Sequence, residues 1–474
     1  MNLSDGSSAP ALLSEAFQRQ KIRRDDSLAL DAGERRAALA SLEAILRENI
    51  DALCAAVDRD FGGRSCAETR LLEIFPALEA IRHARRGLRA WMRPHRSRTG
   101  FWFLPGQSRV RPQPLGVVGI VVPWNYPIYL AIGPLVSAIA AGNRALVKMS
   151  ESAPATGELL ARLVAARFDP AVLSVVNGGP EVAREFVALP FDHLLFTGST
   201  AVGRHVMRAA AENLTPVTLE LGGKSPAIVG RAVGIDEAAE RIAFGKCLNA
   251  GQTCVAPDYV LVPAERLEAF ADAVCRAVTR MYPSLRDNPD YTAIIDARHR
   301  TRLAGYLDEA RAGGARVVEI NPAREDFTDC GKMPPALVIG APAGSRILHE
   351  EIFGPLLPLV AYGTLDEAIA YVNARPRPLA LYVFDHDGAA IERVLDRTVS
   401  GGVTVNDTLL HLAQDDLPFG GVGPSGMGEY HGRAGFDTFS KRKAVFFQSR
   451  WNGLALLRPP YGKRFASLAK LLLR

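Results

Sequence analysis

Cys254 ends the tetrad Gly251-Gln252-Thr253-Cys254, and a thiol there can act as a nucleophile. A cysteine alone says little, because free cysteines often only fill core. Its company says more. Asn125 is a lone polar amide between two prolines in Pro123-Trp124-Asn125-Tyr126-Pro127. Glu220 stands between Leu219 and Leu221, ahead of Gly222-Gly223-Lys224. A carboxylate between two leucines is rarely solvated, and desolvation raises its pKa toward the range of a general base. Gly198-Ser199-Thr200-Ala201-Val202-Gly203 follows an apolar run. Such a turn either offers helix N–H groups to a pyrophosphate or is merely a tight turn. Lys148 and Glu151 also follow a strand end. A carboxylate there can accept from a ribose hydroxyl, though each alone reads as a surface charge.

These residues need elements to hold them. Residues 11–95 carry apolar positions at helical spacing and predict an outer layer of helices. From Leu115 short apolar runs alternate with amphipathic stretches: strands at 117–122, 145–148, 172–176, 193–198 and 216–220, with helices between. The alternation resumes after Cys254, with strands at 259–262, 316–318, 379–384 and 403–406. The fold class is therefore α/β, with two doubly wound parallel-sheet domains. The expected division is a helical part over 1–95, a hairpin over 96–112, a Rossmann-like core over 113–222, a catalytic domain over 223–416 and a return segment over 417–474. In the hairpin, Phe101-Trp102-Phe103-Leu104 is expected to be one strand and Arg109-Val110-Arg111 the other.

Composition excludes several classes. The 474 residues are 48% hydrophobic and 23% charged, ordinary for a globular chain of two or three subdomains. The net charge of +5 resides in the last stretch, where residues 438–474 hold nine Lys/Arg and no Asp/Glu. The remainder is slightly acidic, so no nucleic-acid face is expected. The six cysteines show no paired spacing, and neither C-x-x-C nor H-E-x-x-H occurs, so no metal site is read. Residues 116–143 are uncharged, but Pro123 and Pro127 would break a spanning helix. The first five residues lack a basic, then apolar, leader. A reducing cytoplasm is the expected location.

The ordered set of Pro123–Pro127, Phe196-Thr197-Gly198-Ser199-Thr200, Glu220-Leu221-Gly222-Gly223-Lys224, Gly251–Cys254 and Glu351-Ile352-Phe353-Gly354-Pro355 resembles the motifs of the aldehyde dehydrogenase superfamily. Cys254-Val255-Ala256-Pro257-Asp258-Tyr259, the glycine-rich run 417–428 and Tyr430-His431-Gly432 look like its class 3 branch. Arg458-Pro459-Pro460-Tyr461-Gly462 is similar to the bacterial coniferyl aldehyde dehydrogenases. Met149 and Pro424 depart from the usual pattern without removing a chemical group.

The resemblance implies Cys254 as nucleophile, Asn125 as oxyanion donor and Glu220 as the base that hydrolyses a thioester. It implies NAD, or alternatively NADP, against Val122, Pro123, Trp124, Lys148, Glu151, Gly179, Thr197, Gly198, Ser199, Leu221, Gly222, Glu351 and Phe353. Its substrate would be an aldehyde, coniferyl-like or else aliphatic. CoA-acylating chemistry and an inactive structural relative are the competing readings, and Glu220 argues against the first. The resemblance further implies a homodimer, formed through the hairpin and residues 441–448. The basic end 465–474 is expected to pack on the body or a partner rather than on a membrane.

Overall fold

A computed structural model describes residues 9–26 and 30–473. Residues 1–8, 27–29 and 474, including the segment on which the absence of a leader was read, lie outside the described residues. Five parallel strands form the first sheet, in the order Leu173–Val176, Arg144–Lys148, Val117–Val121, His193–Gly198, Val217–Leu221. Val117–Val121 and Arg144–Lys148 are buried at every position, as befits central strands covered on both faces. The chain steps outward from Val117–Val121 and returns to its other side at His193–Gly198. That creates a switch point, where the carboxyl ends of strands open a crevice. A sixth, two-residue strand, Gly426–Met427, pairs antiparallel with Val217–Leu221, opposing Gly426 to Glu220.

The second sheet has seven strands, ordered Arg316–Glu319, Ala336–Ile339, Leu356–Tyr362, Tyr259–Pro263, Pro226–Val229, Ala380–Phe384, Gly402–Val405. All pair in parallel except Arg316–Glu319. Between the first sheet and the outer helices runs Tyr129–Ala141, buried along its whole length. This is the uncharged segment that could have suggested a span. No helix among the described residues is long and apolar enough to cross a membrane.

One local expectation is corrected. Phe101–Phe103 form a 3-10 turn with exposed rings, not a strand; the hairpin pairs His95–Ser97 with Gln107–Pro114. Gly100 and Pro105, flanking the aromatics, cut the run too short for a ladder. Gln107–Pro114 also pairs antiparallel with Ser440–Phe447 of the same chain, completing a three-stranded arm. Within the helical layer expected over 11–95, a π-turn at Arg70–Ile74 precedes the α-helix Phe75–Trp91. The wider turn sends Glu68 and Glu73, five residues apart, into the core together. The C-terminal helix Lys463–Leu472 forms, and its described side chains are mostly exposed.

Candidate active site

The helix Ile235–Cys247 delivers the chain into a turn where Asn249, Ala250 and Gly251 adopt φ of 52°, 50° and 73°. Three successive left-handed residues need outside support. Gln252 supplies it: its buried amide donates to Asn249 O (3.0 Å) and Ala293 O (2.9 Å) and accepts from Ile295 N–H (3.0 Å). Thr253 Oγ1 meets the Tyr126 hydroxyl at 2.6 Å. Cys254 follows, partly exposed, with its thiol pushed up to about 12 by burial and then by Glu351 and Glu220. Its own N–H and that of Val255 act in the opposite direction, donating toward the sulfur.

Asn125 is buried, and its side-chain amide donates to Gln252 O at 3.2 Å, so the proline-bracketed turn and the cysteine loop are tied directly. One amide hydrogen remains for a ligand. The Asn125 carbonyl accepts from Arg64 Nη1 (2.8 Å) and Asn249 Nδ2 (3.1 Å). Glu68 accepts from Asn249 N–H (3.0 Å) and from the Thr292 hydroxyl (2.9 Å). Sequence reasoning missed Arg64, Glu68 and Glu73. Glu68 and Glu73 read as ordinary charges in a helical pattern, and Arg64 follows Gly62-Gly63 in a loop, so nothing in the sequence set the three apart.

Glu220 lies at the end of Val217–Leu221, 3% exposed, with neither carboxylate oxygen hydrogen-bonded. Burial, and secondarily Glu429, raises it well above the usual carboxylate range. Beside it the Tyr430 hydroxyl is held protonated by burial and by Tyr129, Glu220 and Cys254, which places these groups around one space. The raised pKa makes the ionised Glu220 carboxylate, within electrostatic reach of the sulfur, a stronger base than an ordinary surface glutamate.

The residues expected at the cofactor line the carboxyl ends of the first sheet. Val122, Pro123 and Trp124 leave Val117–Val121; Lys148 ends the next strand and Gly179 follows Leu173–Val176. Thr197 and Gly198 end His193–Gly198, and Ser199 caps the helix Thr200–Ala211. Leu221 and Gly222 end the edge strand. Lys148, almost fully buried, pairs with the half-exposed Glu151 at 3.2 Å. From the other sheet, Glu351 reaches across and accepts from Gly223 N–H. A Cβ on Gly222 would lie 2.1 Å from Glu351 Oε2, so only glycine permits this approach. Burial, with Asp258 beside it, lifts Glu351 to about 8. Phe353, at φ 50°, sets its ring 5.4 Å from Trp124.

This edge suits a dinucleotide. Thr197 Oγ1, Asn177 Nδ2 and Glu351 Oε1 are buried without a partner, and a Cβ on Gly179 would meet nothing within 4 Å. Among the described residues no group of three or more His, Cys, Asp or Glu could hold a metal.

Residues 10–445 match the model of the "Aldehyde dehydrogenase family". The chain is 54% identical over 463 residues to a "Probable coniferyl aldehyde dehydrogenase" of Pseudomonas aeruginosa, covering 98% of this chain and 96% of that one. It is 51% identical to the "Coniferyl aldehyde dehydrogenase" of Pseudomonas sp. strain HR199 over 434 residues, 91% of this chain and 90% of the other. Among solved structures, AldH of Staphylococcus aureus in a substrate-bound state superimposes with a TM-score of 0.91 at 38% identity, covering 97% and 99% of the two chains. Mycobacterium tuberculosis aldehyde dehydrogenase complexed with NAD+ gives 0.78 at 30% identity, over 88% and 85%.

Proposed function

This chain belongs to the aldehyde dehydrogenase family and is an aldehyde dehydrogenase; from that premise we propose that it oxidises a coniferyl-type aromatic aldehyde to the carboxylic acid with NAD. The observation that carries the chemistry is Glu220: a buried, unpartnered carboxyl within electrostatic reach of Cys254.

Cys254 Sγ attacks the aldehyde carbon, forming a C–S bond as the thiol proton passes to the Glu220 carboxylate, which returns it to solvent before hydrolysis. The free hydrogen of the Asn125 amide and the Cys254 N–H hold the oxygen that becomes negative. Lys148 and Glu151 would hold the adenosine ribose, Ser199 and the helix behind it the pyrophosphate, and Glu351 the nicotinamide ribose. Bound there, the nicotinamide would supply the hydride acceptor. The oxidised acyl group then stands on Cys254 as a thioester. Glu220 takes a proton from water, the water oxygen attacks the acyl carbon, and the C–S bond breaks to release the acid and the thiolate.

Coniferyl type rests on the names of the relatives at 51–54% identity. NAD is favoured over NADP because the Glu151 carboxylate would repel a 2′-phosphate. A homodimer through the arm is part of the same reading, supported by exposed Phe101, Trp102, Phe446 and Phe447. The test is a panel of coniferyl, benzyl and short and long aliphatic aldehydes with NAD and NADP, with and without CoA. NADH formation fastest with coniferyl aldehyde and independent of CoA is expected. A preference for long aliphatic substrates would overturn the substrate assignment, and a strict need for CoA the hydrolytic one.

A further inference from the structure

Beneath the Asn125 turn lies a guanidinium that the chemistry above leaves without a task. The Arg64 side chain is fully buried, and its Nε and Nη2 have no hydrogen-bond partner. Its ion partner, Glu73, stands at 3.5 Å, also fully buried. A buried guanidinium with most donors idle is costly, so its one direct bond is informative. That bond runs from Nη1 to the Asn125 carbonyl at 2.8 Å. With Asn249 Nδ2 on the same oxygen, both lone pairs are filled and the peptide plane after Asn125 is pinned. The guanidinium also lies 4.9 Å from the Tyr126 ring centre, whose hydroxyl grips Thr253. Through Glu73 the brace continues: Oε2 accepts from Ile128 N–H (2.7 Å) and Tyr129 N–H (3.2 Å). One ion pair thus fixes the chain on both sides of Pro127.

We propose that Arg64 is a positioning residue, braced by Glu73, that aims the Asn125 side-chain amide at the oxygen of the substrate. Its effect on the reaction passes through Asn125. The proposal rests on the oxyanion role given to Asn125 above. A purely structural Arg64 would alter stability and leave turnover per folded molecule intact; a positioning Arg64 alters kcat and loses its effect once the amide is gone.

The experiment is a double-mutant cycle of Arg64→Met with Asn125→Ala, reading kcat, aldehyde KM and Tm of the full chain. Removing an oxyanion donor costs about 10²–10³ in kcat, so misaiming one predicts a loss of about 30- to 100-fold for Arg64→Met. Aldehyde KM stays within a few-fold on the same reasoning. In the Asn125→Ala background the same change costs less than about 3-fold, because coupled residues are non-additive. Arg64→Lys, which keeps one donor, recovers to within about 10-fold of wild type. It replaces Arg64→Met in the cycle should the latter not fold. Equal losses in both backgrounds, or an undiminished kcat in a folded Arg64 variant, overturn the inference. A wild-type enzyme inert toward every aldehyde overturns the function itself, a distinct outcome.

Discussion

Gly251→Ala offers a sharp check on how the two halves of the site are joined. A Cβ on Gly251 would lie 2.3 Å from Gly354 O, 2.7 Å from the Gly354 carbonyl carbon and 3.1 Å from Lys246 O. All three are backbone atoms, so no side chain can swing away. Restoring ordinary contact requires the cysteine loop and the Glu351–Gly354 loop to part by about 1 Å, a displacement that costs catalysis on the order of 10²-fold. The φ of 73° adds strain of its own, about 1–2 kcal/mol for an L-residue held left-handed. Overpacking of this kind costs about 1–3 kcal/mol of stability. The expected variant folds, melts several degrees lower and turns over aldehyde about 100-fold more slowly, equivalent to ~2.7 kcal/mol at the transition state. NADH release is followed at saturating aldehyde and NAD, beside Gly344→Ala, whose Cβ would meet nothing within 4 Å. A Gly251→Ala enzyme with wild-type turnover and Tm would show that the contact between the loops does not hold the geometry.

Further predictions concern the titrating groups. Glu220→Gln should give a burst of NADH near one equivalent in rapid mixing and then stall, because thioester hydrolysis lacks its base; undiminished steady turnover would refute that role. Glu351, lifted to about 8, is neutral below that pH and becomes a full acceptor only above it. NAD affinity, read by titration calorimetry, should therefore rise from pH 6.5 to 9 in the wild type and stay flat in Glu351→Gln. The same raised pKa means the folded state keeps a proton that the unfolded chain releases near about 4.3. The stability this group contributes is thus whole at low pH and lost as pH climbs through about 8. Glu151→Gln should lower the NAD-over-NADP ratio of kcat/KM about tenfold, ~1.4 kcal/mol for one like-charge contact removed.

Much of this was legible in the chain. Strand–helix alternation marked the first sheet and four of the seven strands of the second, because short buried strands must read as apolar runs. Cys254, Asn125 and Glu220 stood out because each sits in a setting its side chain does not prefer. The Arg64–Glu68–Glu73 brace was not legible: its burial depends on partners about 55 to 225 positions away, and the π-turn that aligns the two glutamates leaves no mark in a helical pattern. The strand expected over 101–104 failed for the opposite reason. The strand propensity of its aromatics is real, but flanking Gly100 and Pro105 deny them a ladder, and propensity yields to context.

The two-residue strand Gly426–Met427 carries a consequence for biosynthesis. Leu221 N–H donates to Ser425 O at 3.0 Å, and Gly426 lies opposite Glu220. The edge that dries the base is thus closed by residues translated some 200 positions later. Domains fold from the N-terminus as they emerge, so the first sheet can assemble with this edge still wet. A nascent chain halted before Gly426 would carry Glu220 hydrated and ionised, an ordinary surface carboxylate. Ribosome-stalled chains of increasing length would show hydrolytic competence arriving late and abruptly, after the sulfur and its loop are already in place.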